Sequence, residues 1–377
     1  MTESPTRRGL GVRGVRVALC SAVVCSALAT LGCRTGPEGE LSQRQYLRTE
    51  VTRADSLVSE RIGSTDLLSN PWMIAANERI IVVSDLNPPY LHVLNAVTGE
   101  HIKSFGLTGE GPGDFAGAPS LMRASMPTDT LWVLDGPRRR ITGFGIRELA
   151  SIAFAPRAST YSFDSVLVYT ADGPDRFGAF VGMAQGWEGQ LSPVRIRRTD
   201  PKVQVFDERE LIDRRLSPRY KGNAYLGRLC LSPRQSLTVQ TFSFAGRLDF
   251  LDSAGVMIRS ARTPYSFRPD PYADTTGNEP IDFNPFLPRV RWAYYDCAVG
   301  DAFLYALYDG RLTGANPENA VPHGEIHVFD WEGALVRTLV LDHPTTGIAV
   351  LPGDSLLISF ADDSGRFAVR RTRLSPR

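Results

Sequence analysis

The chain has 377 residues, 42% of them hydrophobic and 22% charged, which suffices for one large all-β domain or two ordinary ones with a sizeable core. With 42 Lys and Arg against 41 Asp and Glu, the formal net charge is +1. That balance has no electrostatic footprint for nucleic acid and excludes it as a partner class.

The chain opens with Arg7, Arg8, Arg13 and Arg16, followed by the uncharged run VALCSAVVCSALATL from Val17 to Leu31. Such a run is short for a bilayer span but suits the core of a signal peptide. Leu31-Gly32-Cys33 resembles a bacterial lipobox, in which the cysteine is acylated and becomes the mature N-terminus. Lipidation at Cys33 is the leading expectation. Plain secretion after Ala27-Leu28-Ala29 and an uncleaved anchor are the alternatives, and Thr6-Arg7-Arg8 resembles a twin-arginine export motif. Residues 1–32 are assigned as signal peptide, 33–44 as a lipidated tether containing RTGPEGE, and 45–377 as the folded body.

The body lacks strong helical periodicity. Short apolar or alternating segments recur, bounded by Gly, Pro, Asn and Asp, as expected of many short strands. Ile80-Ile81-Val82-Val83-Ser84-Asp85 matches Thr130-Leu131-Trp132-Val133-Leu134-Asp135. Each is an apolar strand closed by aspartate and followed by a turn, LNPPY in one and GPRRR in the other. Echoes begin near Phe177, Leu237, Phe303 and Leu356. Six units spaced by roughly fifty to sixty-five residues predict an all-β, six-bladed β-propeller of mostly four-stranded antiparallel blades. A two-domain all-β protein is the alternative. Radial stacking buries both apolar faces of each sheet, and the segment from Gln45 to Arg61 is expected to help ring closure by lending a strand to the last blade. Two stretches break the rhythm. DERELIDRRLSPRYKGN (207–223) has room for one short helix, and the Pro-rich, aromatic stretch from Thr263 to Arg291 reads as an ordered arch over one face of the ring.

The stretch FGLTGEGPGDF, Phe105 to Phe115, is glycine-rich but no phosphate cradle. A P-loop requires Lys and Ser or Thr after its last glycine, and a dinucleotide fingerprint requires a following helix. Here Gly113 leads into Asp114 and Phe115. The stretch reads as a joint between blades, with Phe115 plugging the gap. Together with Pro119 and LWVLDGPRRRITGFG it resembles an NHL-type repeat, and it is similar to bacterial six-bladed propeller lipoproteins of the TolB-like group. There a motif of this form joins the first two blades, Asp114 for Glu being a mild departure that leaves the turn intact. Val97-Thr98-Gly99-Glu100, LYALYDG and IHVFDWEGALVRTLVLD fit the same group. The likeness runs from about Ile74 to the end, weakest between Ser151 and Arg262. It implies a fold and an envelope location and brings no catalytic residue with it.

Asp85 and Asp135 hold matching repeat positions, where turn capping through backbone N–H groups is the first reading and an axial metal site the second. His323 and His327 would lie about 13 Å apart on one strand face, too far to share an ion, and are expected in or beside a loop. His92, His101 and His343 stand isolated, with no evident Ser/His/Asp set. Arg138, Arg139 and Arg140 form the densest basic spot of the body. They read as a solvated hairpin, with contact to an acidic ligand or lipid headgroups as the alternative. Trp292, Tyr294 and Tyr295 read as inter-blade packing, with a ligand platform as the alternative. Cys230 and Cys297 fall at equivalent places on the inner strands of the fourth and fifth blades, without CxxC spacing. Two buried thiols are the first expectation and a disulfide the second.

No catalytic residue, metal or cofactor is expected. The function expected is a lipid-anchored, extracytoplasmic binding or scaffold module for an envelope protein, peptide or glycan, with the outer membrane favoured. The rival is a metal-assisted hydrolase, lactonase or lyase at the axial channel.

Overall fold

The computed structural model describes residues 46–48, 54–63, 66–111, 113–152, 158–163, 166–185, 191–197, 200–205, 223–232, 234–263, 265–269, 283, 290–312, 324–362 and 367–374. The chain divides into Met1–Glu40 and Leu41–Arg377, and every described residue lies in the second unit. The signal segment, Cys33 and the stretch expected to hold a short helix (207–222) lie outside the described residues.

Six sheets form the ring. The first blade holds Pro71–Ala76, Ile80–Asp85, Leu91–Asn95 and His101–Phe105 from axis to rim, and the second holds Ser120–Met122, Thr130–Asp135, Arg140–Gly145 and Ala158–Ser162. The third holds Leu167–Asp172, Ala179–Gln185, Leu191–Arg197 and Asp200–Val205, and the fourth Leu229–Ser232, Leu237–Thr241, Arg247–Leu251 and Met257–Arg262. The fifth holds Tyr294–Val299, Leu304–Tyr308, Glu325–Phe329 and Leu335–Leu341, and the sixth Gly347–Val350, Leu356–Asp362 and Phe367–Arg373. Within these blades every pairing is antiparallel. The innermost strands touch in order around the axis, and that of the sixth meets that of the first.

All six repeats found in the sequence prove to be second strands. A second strand is flanked on both edges by its own sheet and covered on both faces by neighbouring blades, so its residues are apolar without alternation. Ile80–Asp85 and Leu304–Tyr308 are buried along their whole length. Apolar clusters fill the seams between successive blades, including the first with the second around Phe115 and Phe144 and the sixth with the first around Ile74 and Val369. Between the third and fourth the described cluster is small, Val181 and Met183 against Leu229. This is where the resemblance in the sequence was weakest.

The N-terminal segment closes the ring more extensively than expected. Tyr46–Arg48 pairs in parallel with the outer strand of the fourth blade, and Ala54–Leu57 in parallel with that of the fifth. Glu60–Arg61 then pairs antiparallel with Phe367–Arg373, completing the sixth blade. One strap thus covers three exposed sheet edges, which would otherwise offer unpaired backbone groups. Where it passes into the first blade, Gly63 has φ +72 and sits against the backbone of Gly99, where a Cβ would collide.

The glycine-rich joint is as expected. Phe115 is fully buried and packs edge-on against Tyr90 (6.5 Å) and Phe144 (6.4 Å). Gly106 has φ +84, and a Cβ there would lie 2.8 Å from the Phe115 ring. Asp114 accepts the N–H groups of Leu107 (3.3 Å) and Gly111 (3.2 Å), holding the turn from inside.

Cys230 and Cys297 do sit on adjacent inner strands, but they are bonded to each other, S–S 2.10 Å with Cα atoms 6.2 Å apart. The expectation of two free thiols is therefore corrected. Adjacent inner strands of a closed ring bring equivalent positions within the range a disulfide requires. Of the arch, Tyr265 stacks on Tyr308 (5.3 Å) and Phe283 packs on Phe244 (5.1 Å), while residues 270–282 and 284–289 lie outside the described residues.

The strap is latched through Ser59. Asp342 accepts the Ser59 N–H (3.1 Å) and hydroxyl (2.6 Å) and lies 2.8 Å from His343 Nδ1. Burial alone would raise the Asp342 carboxyl; the Ser59 hydroxyl and His343 outweigh it and bring it down to about 2. A carboxyl depressed in the fold contributes stability above its unfolded value near ~3.9 and loses it as pH falls toward the folded one. Limited proteolysis of the strap should therefore accelerate between about pH 4 and pH 2 in the wild type. In Asp342→Asn it should be fast at neutral pH and lack that acid step. An acid step unchanged in Asp342→Asn would refute this latch.

Candidate functional site

The axis is where side chains from all the blades meet. At the C-terminal ends of the inner strands lies a cavity of about 180 Å³, to which every blade contributes. Its walls are apolar, among them Ala76, Met126, Leu231, Ala298 and Val350, and Arg123 and Asp172 enter it. Across its rim Arg234 of the fourth blade pairs with Asp301 of the fifth at 3.0 Å.

The charges inside the axis are mostly committed to holding blades together. Asp172, fully buried, accepts N–H groups from Ala124 (2.9 Å), its neighbour Gly173 (2.9 Å) and Leu231 (3.0 Å), joining the second, third and fourth blades. Loss of water pushes its carboxyl up from the ordinary value, and these N–H groups oppose the rise. Arg123 reaches across from the second blade. Its Nη2 lies 2.8 Å from Asp296 Oδ1, without the alignment of a hydrogen bond, and its Nη1 donates to the Ile348 carbonyl at 3.2 Å. Asp296 also accepts the Ile348 N–H at 3.0 Å.

At the opposite end, where the inner strands begin, Arg228 extends from the fourth blade to the first. Its guanidinium lies 4.7 Å from the centroid of the Trp72 ring, and Nη1 is 3.8 Å from Met73 Sδ. Trp72 is oriented by donating Nε1–H to Ser84 Oγ at 2.9 Å. Tyr295 and Trp292, both half-buried and 5.6 Å apart, stand at the same end in the fifth blade.

The residues singled out in the sequence distribute differently. Arg138 pairs with Glu110 (3.0 Å), and Arg140 with Asp135 (3.2 Å) and the Asp114 carbonyl, so both tie the second blade's turn to the joint. Arg139 is exposed, with φ +51. Tyr294 is in the core, its hydroxyl 3.0 Å from His327 Nδ1, and is parted from the half-buried Trp292 and Tyr295. Asp85 accepts the Ser69 (2.8 Å) and Asn70 (2.9 Å) N–H groups, and Asp135 that of Ala116 (3.2 Å). Both cap the chain entering their blade, and neither faces the axis cavity.

His327 is no loop residue; it lies buried on Glu325–Phe329 with Glu325 Oε1 at 2.7 Å, and His323 lies outside the described residues. His343, which looked isolated, is not. Asp342 contacts its Nδ1 and Ser359 its Nε2 (3.0 Å), the connectivity of a hydrolytic triad. Ser359 is fully buried between strands, so no substrate carbonyl can reach it. Among the described residues no three His, Cys, Asp or Glu side chains converge so as to hold a metal ion.

Sequence reasoning missed Arg123, Asp172, Arg228 and Asp296. Each is one charged residue in or beside a short inner strand, and no motif links them.

Six closed antiparallel sheets around an axis with polar groups at both mouths define a six-bladed β-propeller. Within it, residues 249–352 match the family model described as TolB-like 6-blade propeller-like. The crystal structure of a DUF4221-family member from Bacteroides vulgatus is similar over 86% of this chain and 98% of its own, with 11% identity and a TM-score of 0.54. A Bacteroides fragilis protein whose name calls it exported is similar over 86% of this chain and 100% of its own, with 10% identity and a TM-score of 0.50. At such identities the likeness concerns the fold alone. No curated protein matches the sequence.

Proposed function

We propose that this propeller is exported, acylated at Cys33 and held at the envelope membrane by that lipid, the outer membrane being favoured. There it serves as a binding module for an envelope protein, peptide or glycan. The observation that carries the binding reading is the axial cavity, apolar-walled, shared by all six blades and rimmed by the exposed Arg234 paired with the half-buried Asp301. A concave apolar pocket with a few convergent polar groups is the usual form of a ligand seat. Asp172 and Asp296 are held by backbone N–H groups, which favours a seat over an acid–base centre. Export is supported by the arginine-bearing start, the uncharged run to Leu31 and the Cys230–Cys297 bridge, since disulfides persist in oxidising compartments.

Crosslinking in intact cells followed by purification tests the reading. The wild type should capture an envelope component, and Arg234→Glu, which places two acids on the rim, should capture much less. Equal capture by both would exclude the cavity as the seat, and no capture above control would defeat the module itself. Cys33→Ser should move the protein from the membrane to the soluble fraction, and its retention in the membrane would refute lipid anchoring.

A further inference from the structure

Several other partly buried arginines among the described residues are held by oxygen. Arg123 has Asp296, Arg195 has Asp175, Arg247 has Asp249 and Arg311 has Asp309, while Arg259 donates to the Trp331 carbonyl. Arg228 differs. Among the described residues its guanidinium has no oxygen acceptor, only the Trp72 ring and the Met73 sulfur, and a thioether is a weak acceptor. The acid whose field acts on it, Asp296, is not within ion-pairing distance and is already engaged by Arg123 and the Ile348 N–H. A partly desolvated cation with no directly paired acid among the described residues is costly to keep, so its persistence at a channel mouth calls for a purpose.

The surroundings indicate what would satisfy it. The guanidinium fork matches carboxylate or phosphate oxygens two at a time. Trp72 stands beside it, fixed by Ser84, and the Tyr295 hydroxyl of the fifth blade interacts electrostatically with the guanidinium. The flat indole of Trp72 favours a planar or sugar ring attached to the anion. We propose that Arg228 and Trp72 form a site for a ring-bearing oxyanion, a carboxylate or a phosphate, at the mouth where the inner strands begin. The site lies at the opposite end of the axis from the cavity, so its test is independent of partner capture there. The competing role is purely structural, Arg228 stapling the fourth blade to the first through the indole.

Calorimetric titration of the full chain in detergent, with glucuronate, glucose 6-phosphate, glucose and inorganic phosphate, separates the two. The charged sugars should bind at least about 10-fold more tightly than glucose. Arg228→Gln should erase that difference, and Arg139→Gln should leave it intact. Preference for glucuronate assigns a carboxylate and preference for glucose 6-phosphate a phosphate; competition by inorganic phosphate places the recognition in the oxyanion. Should Arg228→Gln fail to fold, Arg228→Lys retains the charge without the fork and should weaken the charged sugars but not glucose. No binding, equal binding of charged and neutral sugars, or wild-type discrimination in either Arg228 variant would overturn the site.

Discussion

Removing the Cys230–Cys297 bridge is expected to cost the ring about 4 kcal/mol, the chain-entropy estimate for a loop of this length. The two residues are 67 apart in sequence, so the bond withholds a long loop from the unfolded chain. It also joins the inner strands of two neighbouring blades beside Tyr294, Leu248 and Phe250, in one of the larger apolar seams. Both cysteines are buried. Reductant alone should therefore leave the folded protein intact and act only once denaturant opens the seam. Urea unfolding of the wild type, with and without reductant, and of Cys230→Ala/Cys297→Ala is the measurement. The reduced and doubly substituted proteins should share a lower midpoint. Coincidence of all three curves would show that the bridge does not hold the seam.

Deleting the chain through Gly63 is expected to be the most disruptive change short of removing a blade. It uncovers the outer edges of three sheets and leaves the sixth with three strands. It also removes Ile62, buried in the seam between the sixth and first blades, whose N–H donates to the Val369 carbonyl at 3.0 Å. Loss of a buried isoleucine alone costs about 2–5 kcal/mol, and the bared edges invite pairing between molecules. Size-exclusion chromatography should show the truncated protein as aggregate, whereas deletion through Arg53, which removes only Tyr46–Arg48 among the described strands, should leave a monomer with a lower melting temperature. A monomeric, fully stable product of the longer deletion would mean that the ring closes without its strap.

These two devices were unequally legible. The strap's existence could be read from sequence because the repeats begin at Ile80 while a strand-like segment precedes them. Its reach over three blades could not, since Tyr46–Arg48 and Glu60–Arg61 have no apolar pattern of their own. The cysteines were placed correctly on neighbouring inner strands, but whether two thiols meet depends on a separation of ångströms. Arg138 and Arg140 looked like a basic patch because their acids, Glu110 and Asp135, come from a loop and a strand end that only folding brings beside them.

The amino-acid order by itself determined the strand content, the sixfold repeat and the joint at Phe115, because each leaves a contiguous signature in the chain, an unbroken apolar run or a glycine-rich turn. Second strands are covered on both faces, so burial writes an unbroken apolar run into the sequence at every turn of the ring. The axis was decided by tertiary structure alone. Arg123, Asp172, Arg228 and Asp296 come from four different blades, and each meets a group from another blade. Such pairing obeys the geometry of closure, which no spacing along the chain records.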